Sequence, residues 1–303
     1  MVFNHSISDI AFALAIVCQK AKEWVVAKGP VWQIGANSYS LAQRSLVMGI
    51  LNITPDSFSD GGLWLEPEEA LRHAQRMVEE GANLIDVGGE STRPGSDAVL
   101  EEEEKRRVLP VVERLASDLD VPVSIDTRKP VVAAAALERG ARVVNDISGL
   151  RDPEMVKVCA GSDCGVVVMH MKGEPKTMQK EPHYDDVLEE VFAYFQERYE
   201  TLTTAGIAAE RLCWDPGIGF GKRLEDNLSL ISRVDELAVA GRPVMMGLSR
   251  KSFIGKLLGQ TSVAARKWST IGLTAWTREQ GALVHRVHDV KENVEALRLV
   301  EAI

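Results

Sequence analysis

The chain has 303 residues, of which 45% are hydrophobic and 26% charged, and a formal net charge of −9. A chain of this size buries roughly 75% of its unfolded surface, so a full core forms without staples. The acidic balance argues against nonspecific nucleic-acid binding, which needs a basic face, but leaves room for a local basic cluster, because charges are screened over roughly 8 Å. Cys18, Cys159, Cys164 and Cys213 form no Cys-x-x-Cys pair and read as free thiols of a reducing compartment. The apolar run from Ala11 to Val17 follows Asp9 and falls short of the about 20 residues a membrane span needs. Neither a membrane anchor nor a secretory signal is expected, and the expected location is the cytoplasm.

Residues 1–29 predict an appended helix. Ile7, Ile10, Ala11, Leu14, Cys18, Ala21 and Val25 line one face, and Gly29-Pro30 stops it. That face packs on the rest of the chain or meets a partner. Residues 31–35 and 38–41 predict a hairpin that precedes the main body of the chain and covers its floor. An apolar run, a loop and a helical pattern then repeat. The runs are 46–53, 84–88, 121–126, 143–147, 165–171, 211–215, 243–248 and 283–288. The clearest helical stretches are 68–80, 101–119, 185–205 and 290–303. The runs are nearly continuous in apolar residues, as a parallel sheet buried on both faces requires. Alternating strands and helices give an α/β fold, and eight units in about 260 residues fit a closed (β/α)8 TIM barrel over residues 31–303. No linker divides the chain further.

A barrel of this kind carries its active site at the C-terminal ends of the strands, and here those ends are polar. The first run gives Asn52, then Thr54-Pro55-Asp56-Ser57-Phe58-Ser59-Asp60-Gly61-Gly62. The second carries Asp86 and leads into Gly88-Gly89-Glu90-Ser91-Thr92-Arg93-Pro94-Gly95. The third ends in Asp126-Thr127-Arg128-Lys129, the fourth in Asn145-Asp146 and the fifth in Met169-His170-Met171. The last three give Asp215-Pro216-Gly217 with Phe220 and Lys222 beyond, Ser249-Arg250-Lys251-Ser252, and Arg286 with His288 and Asp289.

Each residue alone has a structural reading. A strand-end Asp caps a helix, a Gly-Gly pair makes a turn, and His170 between two methionines is as readily a satisfied core histidine as a ligand. Yet Asp86, Asp126, Asn145, Asp215, Lys251 and Arg286 come from different strand ends and converge on one mouth, which marks a polar ligand site. Carboxylates and an Asn suit a flat heterocycle with a guanidine-like edge, because a carboxylate accepts two parallel N–H bonds. An Arg stacks on such a ring. Arg93, Arg286 and His288 suit an anionic group such as phosphate. Asn52 is a neutral oxygen donor suited to a diphosphate-bound Mg²⁺.

Three further stretches have plainer readings. Gly217-Ile218-Gly219-Phe220-Gly221-Lys222 fails as a phosphate loop, with Pro216 where a Gly belongs and Arg223 where a Ser or Thr belongs. Glu101, Glu102, Glu103 and Glu104 read as the solvated first turn of a helix, where negative charge is favourable. In the helical stretch 262–281, Trp268, Ile271, Gly272, Ala275 and Trp276 share a face that packs on the barrel.

The motif from Leu51 to Gly62 and the motif from Asp86 to Gly95 resemble two signatures of the dihydropteroate synthases. Ser124-Ile125-Asp126-Thr127, Asn145-Asp146-Ile147, Met169-His170-Met171, the motif from Asp215 to Lys222, Ser249-Arg250-Lys251-Ser252 and Arg286-Val287-His288-Asp289 continue the pattern in order. The resemblance covers about residues 31–303 and leaves the N-terminal helix outside. It implies a transferase of folate synthesis that joins 6-hydroxymethyl-7,8-dihydropterin diphosphate to p-aminobenzoate and releases pyrophosphate, with sulfonamides as expected inhibitors. It implies a dissociative route, in which the bond to diphosphate breaks before the amine attacks.

The resemblance also assigns roles. Asp126, Asn145, Asp215 and Lys251 resemble the pterin-binding group. Arg286 resembles the residue that packs on the pterin and touches the diphosphate, with Asp86 orienting it. Asn52, Arg93 and His288 resemble the diphosphate and Mg²⁺ group. Phe58, Thr92, Pro94, Phe220 and Ser249 resemble the wall around p-aminobenzoate. Asp126, Lys251, Arg286 and His288 are the implied catalytic residues, and a homodimer through late helices is implied. Two other readings stay open. A methyltransferase-type pterin barrel would lack the Thr54-to-Ser59 loop and the Ser249-to-Ser252 strand end. A pterin-binding protein without catalysis would not need Asn52, Arg93, Lys251, Arg286 and His288 together.

Overall fold

The computed structural model describes residues 29–53, 67–91, 96, 98–174, 176–259 and 262–303. The expected N-terminal helix lies outside these residues, as do Phe58, Thr92, Arg93 and Pro94.

Strands β1 (Val31–Ile34) and β2 (Asn37–Ser40) pair antiparallel from Val31↔Ser40 to Ile34↔Asn37, which is the expected hairpin. Trp32 and Ile34 alternate inward and are buried against Leu46, Leu84, Val143 and Val284, each at or next to the start of a barrel strand. Trp32 Nε1 donates to the carbonyl of Arg211 at 2.8 Å. The hairpin therefore plugs the N-terminal end of the barrel and leaves the opposite end as the mouth.

The barrel strands are β3 (Leu46–Asn52), β4 (Leu84–Gly88), β5 (Val123–Asp126), β6 (Val143–Asp146), β7 (Gly165–Met169), β8 (Leu212–Asp215), β9 (Met245–Met246) and β10 (Val284–Val287). They are parallel, in the order β8-β7-β6-β5-β4-β3-β10-β9. A single parallel bridge, Trp214↔Val244, brings β8 beside β9 and closes the ring. Every residue of β4, β6, β7 and β8 is buried, as strands covered on both faces must be. Around them lie α1 (Pro67–Glu79), α2 (Glu101–Asp118), α3 (Pro130–Glu138), α4 (Pro153–Ala160), α5 (Val187–Thr204), α6 (Leu224–Ser232), α7 (Ser252–Leu258), α8 (Lys267–Glu279) and α9 (Val290–Val300). Local chemistry starts these helices. Asp152 caps α4, and Asp186 caps α5 by accepting from Leu188 and Glu189 N–H. Pro130 and Pro153 stand in first turns, where a missing N–H costs nothing.

Three expectations need correction. The run 243–248 forms only the two-residue β9. It pairs with β10 at Met245 and Met246, and Gly247 and Leu248 stay outside the ladder. The stripe on α8 does not pack on the barrel: Trp268 is 72% and Trp276 51% exposed, while Thr270, Thr274 and Thr277 are the buried residues. Thr270 and Thr277 donate their hydroxyls to the carbonyls of Arg266 and Leu273, at 2.8 and 2.9 Å, which satisfies them within the helix. The third correction concerns the acidic turn of α2. Glu101 and Glu102 are exposed, but Glu104 is buried, because it faces Gly89 and pairs with Lys129.

Cys159, Cys164 and Cys213 are buried free thiols. Among the described residues no helix is long and apolar enough to cross a membrane.

Candidate active site

The polar strand ends meet at the mouth because the parallel register aligns them. Gly88 pairs with Asp126, Asp126 with Asn145, and Met169 with Asp215. Arg286, on β10, reaches across the opening. Its Nε donates to Asp86 Oδ2 at 2.6 Å and its Nη2 to Asp126 Oδ2 at 2.7 Å. Asn145 Nδ2 donates to the same Asp86 oxygen at 3.0 Å, and Asp86 Oδ1 is buried without a partner. Gly88 lies between two of these groups. A Cβ there would lie 3.6 Å from Asn52 Oδ1 and 3.7 Å from Asp126 Oδ2, so Asn52 and Asp126 flank the same bare spot.

The charges in this network are strongly biased. Burial pushes the Asp126 carboxyl up to about 7, against the pull of the Arg286 guanidinium, and Asp86 adds to the rise. Burial opposes the charge on Arg286, but Asp86 and Asp126 outweigh it and hold its pKa above the usual arginine range. Asp215 is raised by burial, although Gly217 N–H donates to its Oδ1 at 2.7 Å and Lys251 lies near. Burial lowers Lys251 to about 8, with Asp215 opposing. Lys251 senses both Arg286 and Asp126 as charges, so the two groups share one mouth.

Lys251 Nζ stands 4.2 Å from the centre of the Phe220 ring, which joins Phe220 to the same group. Ser249 Oγ lies 2.9 Å from His288 Nδ1 and also accepts His288 N–H at 3.1 Å. The structure thus gathers Asp86, Asp126, Asn145 and Arg286 with Asn52 at their edge, then Asp215, Lys251 and Phe220, then Ser249 with His288. Phe58, Thr92, Arg93 and Pro94 lie outside the described residues.

Lys222 and His170 form an internal brace. Lys222 is 3% exposed. Its Nζ lies 3.0 Å from His170 Nδ1 and donates to the carbonyls of Gly217, Phe220 and His170 at 3.1, 3.2 and 3.3 Å. Burial lowers Lys222 to about 7, and burial with the neighbouring Lys222 charge keeps His170 from protonating at neutral pH. His170 is therefore the satisfied core histidine of the two readings. The brace shapes the turn that presents Phe220.

The sequence reading missed Glu90, Arg128 and Lys129 beside the mouth. Lys129 Nζ donates to both Glu90 and Glu104. The available signal was spacing: Glu104 shares a helix face with Val108, Val111, Val112 and Leu115, all buried. Among the described residues no group of three or more His, Cys, Asp or Glu is placed to hold a metal ion. Asn52 offers a single neutral oxygen.

Comparison with known proteins shows the family. The model of the family described as "Pterin binding enzyme" matches residues 48–288. The dihydropteroate synthase of Escherichia coli (strain K12) is 49% identical over 256 residues, covering 84% of this chain and 90% of that protein. A structure of Yersinia pestis dihydropteroate synthase with a sulfonamide drug has a TM-score of 0.85 and 45% identity, covering 90% of this chain and 98% of that one. A structure of Burkholderia cenocepacia dihydropteroate synthase complexed with 7,8-dihydropteroate has a TM-score of 0.82 and 43% identity, covering 90% and 96%. The chain belongs to the pterin-binding enzyme family and, within it, to the dihydropteroate synthases.

Proposed function

We propose that the barrel mouth holds the pterin diphosphate on its Asp126–Asn145–Asp215–Lys251 floor and passes its pterinylmethyl group to p-aminobenzoate, with Arg286 at the centre. The observation that carries this reading is the grip of two buried carboxylates, Asp86 and Asp126, on one guanidinium at 2.6 and 2.7 Å. Asp86 fixes the guanidinium plane, so Arg286 lies flat for a ring to stack and keeps N–H groups for an oxyanion. Asp126 and Asp215 accept from the N–H edge of the pterin, and Asn145 is held to the same floor through Asp86.

In the reaction the bond between the exocyclic methylene carbon and the diphosphate oxygen breaks, and its electron pair leaves with pyrophosphate. The arylamine nitrogen forms the new bond to that carbon and gives up a proton. Arg286, Arg93 and His288 act where the leaving oxygens gain charge. Asp126 stabilises the positive charge on the pterinylmethyl group. Ser249 orients His288 through the 2.9 Å contact to its ring nitrogen. Phe220, with Phe58, Thr92, Pro94 and Ser249, lines the p-aminobenzoate side. The same wall accounts for sulfonamide inhibition, because these drugs present a similar arylamine.

Asn52 fits a Mg²⁺ that arrives with the diphosphate, since such an ion keeps several waters and takes few protein ligands. When bound, the ion neutralises charge on the leaving diphosphate. The exposed Trp268, Gly272 and Trp276 stripe of α8 fits a second copy of this chain, giving a homodimer. Buried free thiols fit a cytoplasmic location.

The test is Arg286→Ala. Loss of a donor aimed at developing charge costs about 10²- to 10³-fold in rate, and the same loss is expected in kcat/KM for the diphosphate substrate. Wild-type turnover in this variant would remove Arg286 from the centre of the site.

A further inference from the structure

Two loops that carry site residues are joined side by side at the mouth. Ser249 Oγ accepts the His288 N–H and lies against its ring nitrogen. One residue further along both loops, Arg250 grips Asp289 in a two-pronged ion pair. Its Nη2 donates to Oδ1 at 2.7 Å and its Nε to Oδ2 at 3.1 Å. The first loop leaves β9 and continues into Lys251, and the second leaves β10 just beyond Arg286.

Both partners forgo a local preference to meet. Arg250 has a φ of +57°, in the left-handed region that a residue with a side chain rarely enters. Asp289 stands at the N-cap of α9, where an aspartate ordinarily accepts an N–H of the first turn, yet its side chain caps nothing there. The carboxylate turns to Arg250 instead. Two local rules broken at one contact mark a functional constraint. The backbone of Arg250 is fixed as well. Its N–H donates to Thr270 Oγ1 at 3.1 Å, and its carbonyl accepts from Arg266 Nη1 at 3.1 Å. The side chains of Arg250 and Asp289 are 33% and 11% exposed, and Lys267 Nζ lies 3.9 Å from the same carboxylate. A pair this open to solvent adds little to stability, so its use is in where it holds the two loops.

We infer that Arg250 is a positioning residue, which through Asp289 holds the β10 end against the β9 end, keeps His288 on Ser249, and so sets the affinity for the diphosphate end of the substrate. The inference rests on the reading that His288 meets the diphosphate. Lys251 is held separately, with its Nζ over the Phe220 ring and its Cδ 3.5 Å from where a Cβ on Gly219 would stand. Arg286 is gripped by Asp86 and Asp126, and Asp126, Asn145 and Asp215 come from β5, β6 and β8. The pterin ring therefore keeps its floor when the pair is lost.

Arg250→Gly suits the left-handed backbone and removes the guanidinium, so it tests the pair without adding strain. Arg250→Gly, Asp289→Asn, their double variant and His288→Ala are compared by steady-state kinetics with the pterin diphosphate varied. Binding of 6-hydroxymethyl-7,8-dihydropterin, which lacks the diphosphate, is measured beside them. Each single variant of the pair should raise the KM for the diphosphate substrate about tenfold, as loss of a supporting partner does, and leave the pterin Kd unchanged. The double variant should match the singles, because the two residues act as one unit. A pterin Kd that weakens in step with the KM marks a general loosening and overturns the inference, as do single effects that multiply in the double variant. If Asp289→Asn does not fold, Arg250→Gly must still show the split. An unchanged KM in Arg250→Gly beside a raised KM in His288→Ala overturns the positioning role alone. An unchanged KM in both removes the reading of His288, and the inference with it.

Discussion

Asp126 sits between two demands: its surroundings favour the proton, and a pterin edge rich in N–H donors favours the carboxylate. Its buried carboxyl titrates at about 7, against an ordinary 3.8. A raised carboxylate pKa means the folded chain holds an extra proton between those two values. The stability this proton gives is present below the window and fades as pH rises through about 7. A ligand that needs the ionised form must displace the proton at low pH. Pterin affinity should therefore rise as pH rises through about 7 and level off above it, and Asp126→Asn should flatten the curve. Calorimetric titration of the pterin across that range checks this, and affinity that falls with rising pH contradicts it. At this scale the sequence was informative for strand-end residues, because barrel geometry says where they point. It was silent on Lys222, whose partners are backbone carbonyls that no motif encodes, and on the Lys129 ion pairs, whose members lie on three separate elements.

Between strand and helix, the turn from Pro216 to Lys222 carries the most exacting packing. Gly217 has a φ of +66°, and a Cβ there would lie 2.0 Å from the carbonyl oxygen of His170. Gly217→Ala should destabilise the fold by at least the about 1–3 kcal/mol of an unfavourable backbone conformation, because the clash adds to the strain. Denaturant unfolding measures it, and an unchanged midpoint would show that the brace around Lys222 is softer than its geometry implies. The elements misread from sequence share a cause. The length of β9 depends on its pairing with β10, which reaches only Met245 and Met246 and which apolar content does not encode. The outward stripe of α8 results from threonines that bury their methyls and satisfy their hydroxyls internally, so apolar periodicity pointed to the wrong face. Glu104 looked solvated because its neighbours in the run are, while its true environment is set by a glycine fifteen residues earlier.

The described residues form a barrel whose floor is plugged by the hairpin and whose mouth collects polar groups from most of its strand ends. This division was legible in the sequence, since eight apolar runs with polar ends admit few other arrangements. Assembly was not legible from periodicity, because an outward stripe and a core stripe look alike in one dimension. The two-substrate reaction requires that pterin and arylamine meet in a single mouth, and it ties pyrophosphate to product. The most direct measurement is pyrophosphate release from the purified chain with the pterin diphosphate, with and without p-aminobenzoate and Mg²⁺, beside the amount of 7,8-dihydropteroate formed. Release should need all three components and match product one for one. Pterin binding without turnover, or pyrophosphate released with no dihydropteroate formed, would contradict a shared mouth for the two substrates.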